Sequence, residues 1–189
     1  MKQKVFTITD WIHQILSLYI EEGDFCVDAT AGKGKDTLYL CEQTGKRGKV
    51  LAFDVQEEAI AAAKERIIQN GYEENVQFVL DGHETMDLYA KEESAAVILF
   101  NLGYLPGGDH QIATKKETTL LALEKSRKIL KREGILCVCI YSGGDTGFEE
   151  KDAVMEWVKN LPAREYDVIA CPFVNKPNNP PMPVFIRKK

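Results

Sequence analysis

Short apolar segments alternate with amphipathic segments along most of the chain. Apolar residues first recur with a helical period after Thr9 and Asp10, either of which could cap a helix, and continue up to Gly23. The later segments predict strands at 25–29, 49–54, 76–80, 95–101 and 135–141. They predict helices at 35–44, 57–70, 83–91, 115–131 and 149–159, with Gly134 stopping the helix at 115–131.

The order of these elements predicts a parallel sheet. Five strand–helix alternations need crossover connections, which are almost always right-handed and place helices on both faces. The last two apolar segments, 165–171 and 183–187, have no helix between them and are predicted to form an antiparallel hairpin at one edge. We therefore expect an α/β fold with a seven-stranded, mostly parallel sheet, in a single domain that covers 1–189.

Composition places the chain among globular proteins. Its 189 residues are 44% hydrophobic and 28% charged, and a chain of this size buries about 70% of its unfolded surface. No apolar run reaches the roughly 18 residues that span a bilayer, and the first residues lack the apolar stretch of a signal peptide. We expect a cytoplasmic protein without a membrane segment. The opening helix could cover its own core, which we favour, or form a homodimer with a second copy.

Cysteine content and charge narrow the function classes. The five cysteines are odd in number and lie mostly in apolar segments, so they are predicted to be buried thiols. Cys137 and Cys139 have the wrong spacing for a zinc knuckle, and no metal site is predicted. A net charge of −5 argues against broad nonspecific nucleic-acid binding. Basic residues still cluster at 46–49, 115–116, 125–132 and 187–189, which leaves open a local basic face for RNA or simply solvated helix faces.

A glycine loop follows the first predicted strand, with the sequence Asp28-Ala29-Thr30-Ala31-Gly32-Lys33-Gly34-Lys35-Asp36-Thr37. Its two glycines let the backbone turn tightly and approach a ligand, and open sheets bind ligands at the carboxyl ends of their strands. The loop is not a P-loop, because the glycine spacing and the Gly-Lys-Ser/Thr ending are absent. Nor is it a complete dinucleotide fingerprint, because Thr37 occupies the third glycine position.

Acidic residues end the next two predicted strands. Asp54 lies 22 residues after Gly32, where a carboxylate can accept hydrogen bonds from both ribose hydroxyls. Asp81-Gly82-His83 follows the third strand and could flank an adenine. The loop and these strand ends together predict a ligand that carries a nucleoside.

These motifs resemble a known family. The glycine loop, Phe53-Asp54-Val55-Gln56, Asp81-Gly82-His83-Glu84 and Asn101-Leu102-Gly103-Tyr104-Leu105-Pro106-Gly107-Gly108-Asp109 are together similar to small bacterial class I S-adenosylmethionine-dependent methyltransferases labelled rRNA methylases. The resemblance covers essentially the whole chain. Within the family it extends to the Gram-positive enzymes that methylate the 5-aminomethyl group of 2-thiouridine at the tRNA wobble position. It implies a Rossmann-like fold, S-adenosylmethionine as cofactor and tRNA as substrate.

The resemblance also implies cofactor contacts along the chain. The methionine portion would face Asp28, Thr30 and the backbone of Gly32, Lys33 and Gly34, with Asp36 and Thr37 nearby; Asp54 would hold the ribose, Gln56 would lie beside the adenosine, and Asp81, Gly82 and His83 would border the adenine. Lys33 and Lys35 bring positive charge into the loop and either are solvated or meet RNA phosphate.

The block that begins at Asn101 is the candidate catalytic segment. An alkylamine is mostly protonated at neutral pH, so a methyltransferase must favour its neutral form. The Asn101 side-chain oxygen, with the Leu102 carbonyl, could accept the amine hydrogens and direct the lone pair at the methyl group. Asn-Leu-Gly-Tyr is similar to the Asn-Pro-Pro-Tyr block of amino-group methyltransferases, with Leu-Gly in place of Pro-Pro. Tyr104 could stack on the uracil ring.

Two residues at the end of the block have open roles. Asp109 or His110 could accept the amine proton, although a turn role in the Gly-Gly-Asp sequence is equally compatible. We therefore predict N-methylation of the aminomethyl group of the tRNA wobble uridine, with rRNA or a small amine as the alternative substrate. A noncatalytic cofactor-sensing module and a dinucleotide oxidoreductase are the competing classes, and the missing third glycine argues against the second.

Overall fold

The structure, a computed structural model, describes residues 7–102, 114–141, 147–178 and 180–189. The strands are β1 (Phe25–Asp28), β2 (Lys49–Asp54), β3 (Val76–Leu80), β4 (Ala95–Asn101), β5 (Leu130–Ile140), β6 (Tyr166–Ala170) and β7 (Met182–Lys188). The helices are α1 (Ile8–Leu16), α2 (Lys35–Thr44), α3 (Glu57–Gln69), α4 (Lys116–Ile129) and α5 (Gly147–Lys159), with 3₁₀ turns at Glu73–Asn75 and His83–Leu88. Across these ranges, no helix combines the length and the apolar character needed to cross a membrane.

Within the described residues, seven strands form one sheet in the order β3-β2-β1-β4-β5-β7-β6. The neighbours from β3 to β5 are all parallel, whereas β7 is antiparallel to both β5 and β6. This confirms the predicted mostly parallel sheet and its antiparallel terminal strands. The order reverses between β1 and β4, and this is the place where open α/β sheets bind ligands.

Consecutive strand residues face two different helical layers. Val27 and Ile98 pack with residues of α4 and α5, and their neighbours Cys26 and Val97 pack with residues of α1, α2 and α3. Side chains alternate across a strand, so one apolar run supplies both cores. Helices therefore cover both faces, as predicted.

Helix α1 starts and ends earlier than the sequence pattern predicted. Thr7 is the N-cap: its hydroxyl accepts from the Asp10 N–H at 3.1 Å, and the Asp10 carboxylate accepts from the Thr7 N–H at 2.9 Å. The prediction of a cap at Thr9 or Asp10 was wrong, because this reciprocal pair satisfies the first turn three residues upstream of Asp10. The helix ends at Leu16, and Leu18 and Tyr19 continue it only as turns.

The function predicted for α1, covering its own core, agrees with its packing. Ile12 and Leu16 are buried in the same cluster as Cys26 and Leu40, while Trp11 remains 37% exposed. The amphipathic pattern is thus satisfied within one chain. Homodimer formation stays a prediction.

Strand β5 begins earlier than predicted. Helix α4 ends at Ile129, and Leu130 already pairs with Ala95 before an irregularity shifts the register to Val97 opposite Ile135. Gly134 therefore lies inside the strand and does not stop the helix, so that prediction was wrong. Because the irregular stretch is polar, the pattern of apolar residues does not predict the start of this strand.

The cysteines are free thiols, as predicted. Four of them, Cys26, Cys41, Cys137 and Cys139, are buried, and Cys171 is half-buried. Burial raises the pKa of Cys26 and Cys41 to about 12, so these thiols remain protonated and unreactive at neutral pH.

Candidate functional site

The glycine loop lies at the carboxyl edge of the sheet, between β1 and α2. Backbone hydrogen bonds attach it to both neighbouring strands: the Ala29 N–H donates to the Leu99 carbonyl at 2.8 Å, and the Ala31 N–H donates to the Phe53 carbonyl at 2.7 Å. The predicted ligand loop therefore occupies the point where the strand order reverses.

The second glycine of the loop allows α2 to approach α3 closely. Gly34 is the N-cap of α2 with φ of 74°, a left-handed conformation that strains other residues. A Cβ atom built on Gly34 would lie 2.8 Å from Ala63 Cα and 2.9 Å from Ala63 Cβ. The glycine thus sets the helix packing that holds the loop.

A buried carboxyl group lies beneath the loop. Asp28 is 0% exposed and accepts hydrogen bonds from the Thr37 hydroxyl at 2.6 Å and the Thr30 N–H at 3.2 Å. Burial, and then the nearby charge of Asp36, raise the pKa of Asp28 to about 7. Thr37, the residue at the third glycine position of a dinucleotide loop, therefore has its own structural task of holding Asp28.

Asp54, the last residue of β2, joins the glycine loop to the start of α3. Its Oδ2 accepts from the Gly32 N–H at 2.8 Å, and its Oδ1 accepts from the N–H of Gln56, the N-cap of α3, at 3.0 Å. Each carboxylate oxygen can accept a further hydrogen bond. The carboxylate is therefore fixed and can still accept from the two hydroxyls of a ribose.

The motif after β3 separates into a buried part and an exposed part. His83 is 7% exposed, its Nδ1 lies 3.2 Å from the Ala29 carbonyl oxygen, and its ring meets Phe100 edge to face. Burial lowers the pKa of His83, which favours the neutral ring. Because a carbonyl oxygen only accepts, the ring hydrogen is assigned to Nδ1. Nε2 is then a buried acceptor without a partner among the described residues. Gly82 is buried, while Asp81 is exposed and accepts from the Gly82 N–H.

Asn101 ends β4 and is held at two places. Its backbone N–H donates to the Thr30 hydroxyl at 2.7 Å, and its side-chain Nδ2 donates to Asp36 Oδ2. An ionised carboxylate only accepts, so the amide nitrogen must face Asp36. The amide oxygen, which makes no hydrogen bond to another described residue, remains able to accept from a substrate.

The sequence analysis missed His13. Its Nε2 lies 2.7 Å from Asp36 Oδ1, so the α1 helix reaches the carboxylate that also holds Asn101. Helical periodicity identifies the apolar face of α1, but no spacing motif connects residue 13 with residue 36. Tyr104, Asp109 and His110 lie outside the described residues, and their roles stay predictions.

Two lysines of the basic cluster at 125–132 are paired with acidic side chains. Lys131 Nζ lies 2.6 Å from the carboxylate of Asp24, which directly precedes β1 and so lies at the amino edge of the sheet. Lys125 pairs with Asp87 at 2.7 Å. Lys33 and Lys35 are exposed at the opposite, carboxyl edge, and, like the exposed Lys115 and Lys116, they remain candidates for contact with RNA phosphate.

The sheet order and the loop define a class of protein. A seven-stranded sheet with a reversed β7, a ligand loop after β1 and an acidic residue after β2 are together the architecture of a Rossmann-like class I methyltransferase. The chain belongs to the family described as "Putative rRNA methylase", whose model matches residues 50–187. This confirms the family resemblance.

Individual relatives agree over nearly the whole chain. A "tRNA (mnm(5)s(2)U34)-methyltransferase, chloroplastic" from Arabidopsis thaliana is 32% identical over 192 aligned residues, which cover 96% of this chain and 69% of the relative. A "putative rRNA-methylase" from Clostridium thermocellum has 40% identity and a TM-score of 0.95, covering 99% of this chain and 100% of that chain. A "putative methyltransferase" from Streptococcus mutans, in complex with SAH, has 37% identity and a TM-score of 0.88, covering 98% and 99%.

Proposed function

We propose that the protein is an S-adenosylmethionine-dependent N-methyltransferase that converts 5-aminomethyl-2-thiouridine to 5-methylaminomethyl-2-thiouridine at the tRNA wobble position. The observation that carries this proposal is the Asn101 side-chain amide at the end of β4. Its nitrogen is bonded to Asp36, and its oxygen makes no hydrogen bond to another residue that the structure describes. The name of the Arabidopsis relative supports the choice of tRNA. The cytoplasmic location expected from the sequence is consistent with a tRNA substrate.

The described residues fit S-adenosylmethionine. Asp54 can accept from ribose hydroxyls, and the buried His83 Nε2 is an acceptor beside the loop that has no partner in the described part of the chain. Asp36 places negative charge near the loop, and Asp28, whose pKa is raised to about 7, adds to it once it has lost its proton. Negative charge there favours a cationic ligand. When bound, S-adenosylmethionine supplies a methyl group on a positively charged sulfur, and its transfer leaves S-adenosylhomocysteine (SAH), the ligand of the Streptococcus structure.

The residues at the end of β4 would orient the substrate amine. A neutral amine has N–H donors and one lone pair, and donors held by fixed acceptors leave the lone pair with a defined direction. The Asn101 oxygen and the Leu102 carbonyl are the two acceptors proposed here, and the Leu102 N–H is bonded to the Cys139 carbonyl at 3.0 Å. Tyr104 would stack on the uracil ring, and Asp109 or His110 would receive the amine proton.

A methyltransferase that acts on rRNA is the second candidate. The family description and the name of the Clostridium structure both refer to rRNA. The Asn101 arrangement suits an exocyclic amine on either RNA, so substrate comparison must separate the two.

The test is mass spectrometry of nucleosides after incubation of purified protein and S-adenosylmethionine with tRNA that carries 5-aminomethyl-2-thiouridine. We expect the mass of that nucleoside to rise by one methyl group in place of one hydrogen. Unmodified tRNA transcript, rRNA and a simple alkylamine serve as comparison substrates. A gain on rRNA alone, or no gain on any substrate while SAH still binds, would overturn the proposal.

The Asn101→Ala variant tests the catalytic assignment. We expect turnover to fall by about 100-fold because the amine loses its positioning group, while the Kd of SAH measured by calorimetry stays close to wild type. Asn70→Ala is the matched control, because Asn70 follows α3 and precedes β3, at the amino edge of the sheet. Normal methylation by Asn101→Ala would remove Asn101 from the mechanism.

A further inference from the structure

Three contacts fix His13 against α2, two through its side chain and one through its backbone. Its Nε2 lies 2.7 Å from Asp36 Oδ1. Its ring stacks on the Tyr39 ring with a centroid distance of 3.7 Å and an interplanar angle of 4°. The Tyr39 hydroxyl also donates to the His13 carbonyl oxygen at 2.6 Å. The imidazole therefore has one defined plane and one defined direction.

The protonation of Nε2 follows from its partner. An ionised carboxylate only accepts hydrogen bonds, so we assign a hydrogen to Nε2 in this contact, whether the ring is neutral or cationic. His13 is thus the donor in this contact. The contact is sheltered, since the two side chains are 22% and 13% exposed, and shelter from water strengthens a hydrogen bond to a carboxylate.

The Asp36 carboxylate connects two elements that are distant in the sequence. One oxygen accepts from His13 on α1, and the other accepts from the Asn101 amide at the end of β4. A carboxylate held at both oxygens cannot rotate without breaking one bond. If the His13 bond is lost, Asp36 can turn, and the Asn101 amide loses its fixed partner.

We propose that His13 is a positioning residue of the methyl-transfer site, which acts through Asp36 to fix the orientation of the Asn101 side-chain amide. The proposal rests on the proposed function for its catalytic consequence, since Asn101 is assigned there to orient the substrate amine. The link itself, from α1 through α2 to β4, is a property of the protein without substrate. It can therefore be tested with and without turnover.

The first experiment uses no turnover. The side-chain NH₂ signals of Asn101 are identified in a ¹⁵N–¹H spectrum by their loss in Asn101→Ala. In His13→Leu, which has no donor, we expect these signals to shift or broaden. In His13→Gln, whose side-chain NH₂ can replace the Nε2 donor, we expect them to return toward their wild-type positions. Unchanged Asn101 signals in His13→Leu would overturn the proposal.

The second experiment measures methylation of tRNA that carries 5-aminomethyl-2-thiouridine. We expect His13→Leu to lower kcat by about 10- to 100-fold, the scale of a misplaced reacting group, with the tRNA KM and the SAH Kd within about threefold of wild type. His13→Gln should recover most of the kcat. Gln14→Leu, an exposed change at the next position of α1, is the matched control and should leave kcat and KM unchanged.

The outcomes separate the two proposals. If wild-type protein methylates none of the RNA or amine substrates, the proposed function fails, and the spectra alone decide whether His13 positions Asn101. If wild type is active and His13→Leu keeps its kcat within about twofold, the positioning role fails while the function stands. Equal loss of kcat in His13→Leu and His13→Gln, matched by equal losses in thermal unfolding temperature, would reduce His13 to a structural residue and overturn the proposal.

Discussion

The hydroxyl oxygen of Thr30 accepts a hydrogen bond of 2.7 Å from the backbone N–H of Asn101. Thr30 lies in the loop after β1, and Asn101 is the last residue of β4. The bond therefore continues the pairing of these two strands beyond the sheet. It ties the loop proposed to hold the cofactor to the residue proposed to orient the amine.

Replacing Thr30 tests this connection. Thr30→Val keeps the branched shape but leaves the Asn101 N–H without its acceptor, a loss that costs about 1–3 kcal/mol for a group shielded from water. We expect a decrease of this size in the free energy of unfolding, measured with urea, together with slower methylation. Thr30→Ser keeps the hydroxyl and is the matched control. Equal stability and equal methylation rate in the valine and serine variants would show that the hydrogen bond between Thr30 and Asn101 contributes to neither.

Much of the fold follows from local patterns. The bounds of β2, β3, β4 and α2 agree with the sequence analysis residue for residue, because each is a compact apolar or amphipathic run that ends at or just before a polar residue or a glycine. The start of β5 does not follow in this way. Leu130 pairs with Ala95, but the polar residues after it resemble the end of a helix, and only tertiary pairing reveals the strand.

The candidate site also contains residues that the sequence predicts and residues that only the tertiary structure reveals. Asp54 was predicted from its position after a strand and its distance from Gly32, and the structure joins the two directly through a hydrogen bond. His13 could not be predicted, because its contact with Asp36 depends on how α1 packs across α2. Sequence spacing identifies residues on consecutive strand ends, but it does not identify a side chain supplied by a helix on one face.

The close approach of α2 and α3 at Gly34 predicts a large stability effect. Gly34→Ala would add left-handed strain of about 1–2 kcal/mol and a steric conflict with the backbone of Ala63. Gly71→Ala is the matched control: Gly71 has φ of 72°, and its added Cβ would meet only Lys46 Nζ at 3.6 Å. We expect Gly34→Ala to lower the free energy of unfolding by clearly more than Gly71→Ala. Equal losses in urea denaturation would show that the helices separate without cost.

Asp54 is predicted to control cofactor affinity. Asp54→Asn replaces one acceptor oxygen with an NH₂ group that faces a backbone N–H, either that of Gly32 or that of Gln56. A lost hydrogen bond to a charged group is worth about 1.5–3 kcal/mol, so we expect SAH to bind about 10- to 100-fold more weakly by calorimetry. Asp152→Asn, an exposed change on α5, should leave the Kd unchanged. An unaltered Kd in Asp54→Asn would argue against a ribose contact.

The buried Asp28 predicts a specific pH dependence of stability. Burial, and then the charge of Asp36, raise its pKa to about 7 in the folded protein, against about 3.9 in an unfolded chain. Between these values the folded state holds a proton that the unfolded state has released. The stabilisation from this proton is therefore complete below about pH 4, decreases as the pH rises and is lost above about pH 7.

The Asp28→Asn variant isolates this contribution, because an amide does not ionise and can still accept from the Thr30 N–H and donate to the Thr37 hydroxyl oxygen. Urea unfolding at a series of pH values gives the stability of wild type minus that of the variant. We expect this difference to fall between pH 4 and 7 with a slope of at most about 1.4 kcal/mol per pH unit, the limit for one proton, and to level off at higher pH. Thr37→Ser keeps the hydroxyl beside Asp28 and should show the same dependence of stability on pH as wild type. A difference that does not change with pH would mean that Asp28 is ionised in the folded protein throughout this range, with its negative charge available to a cationic ligand already in mild acid.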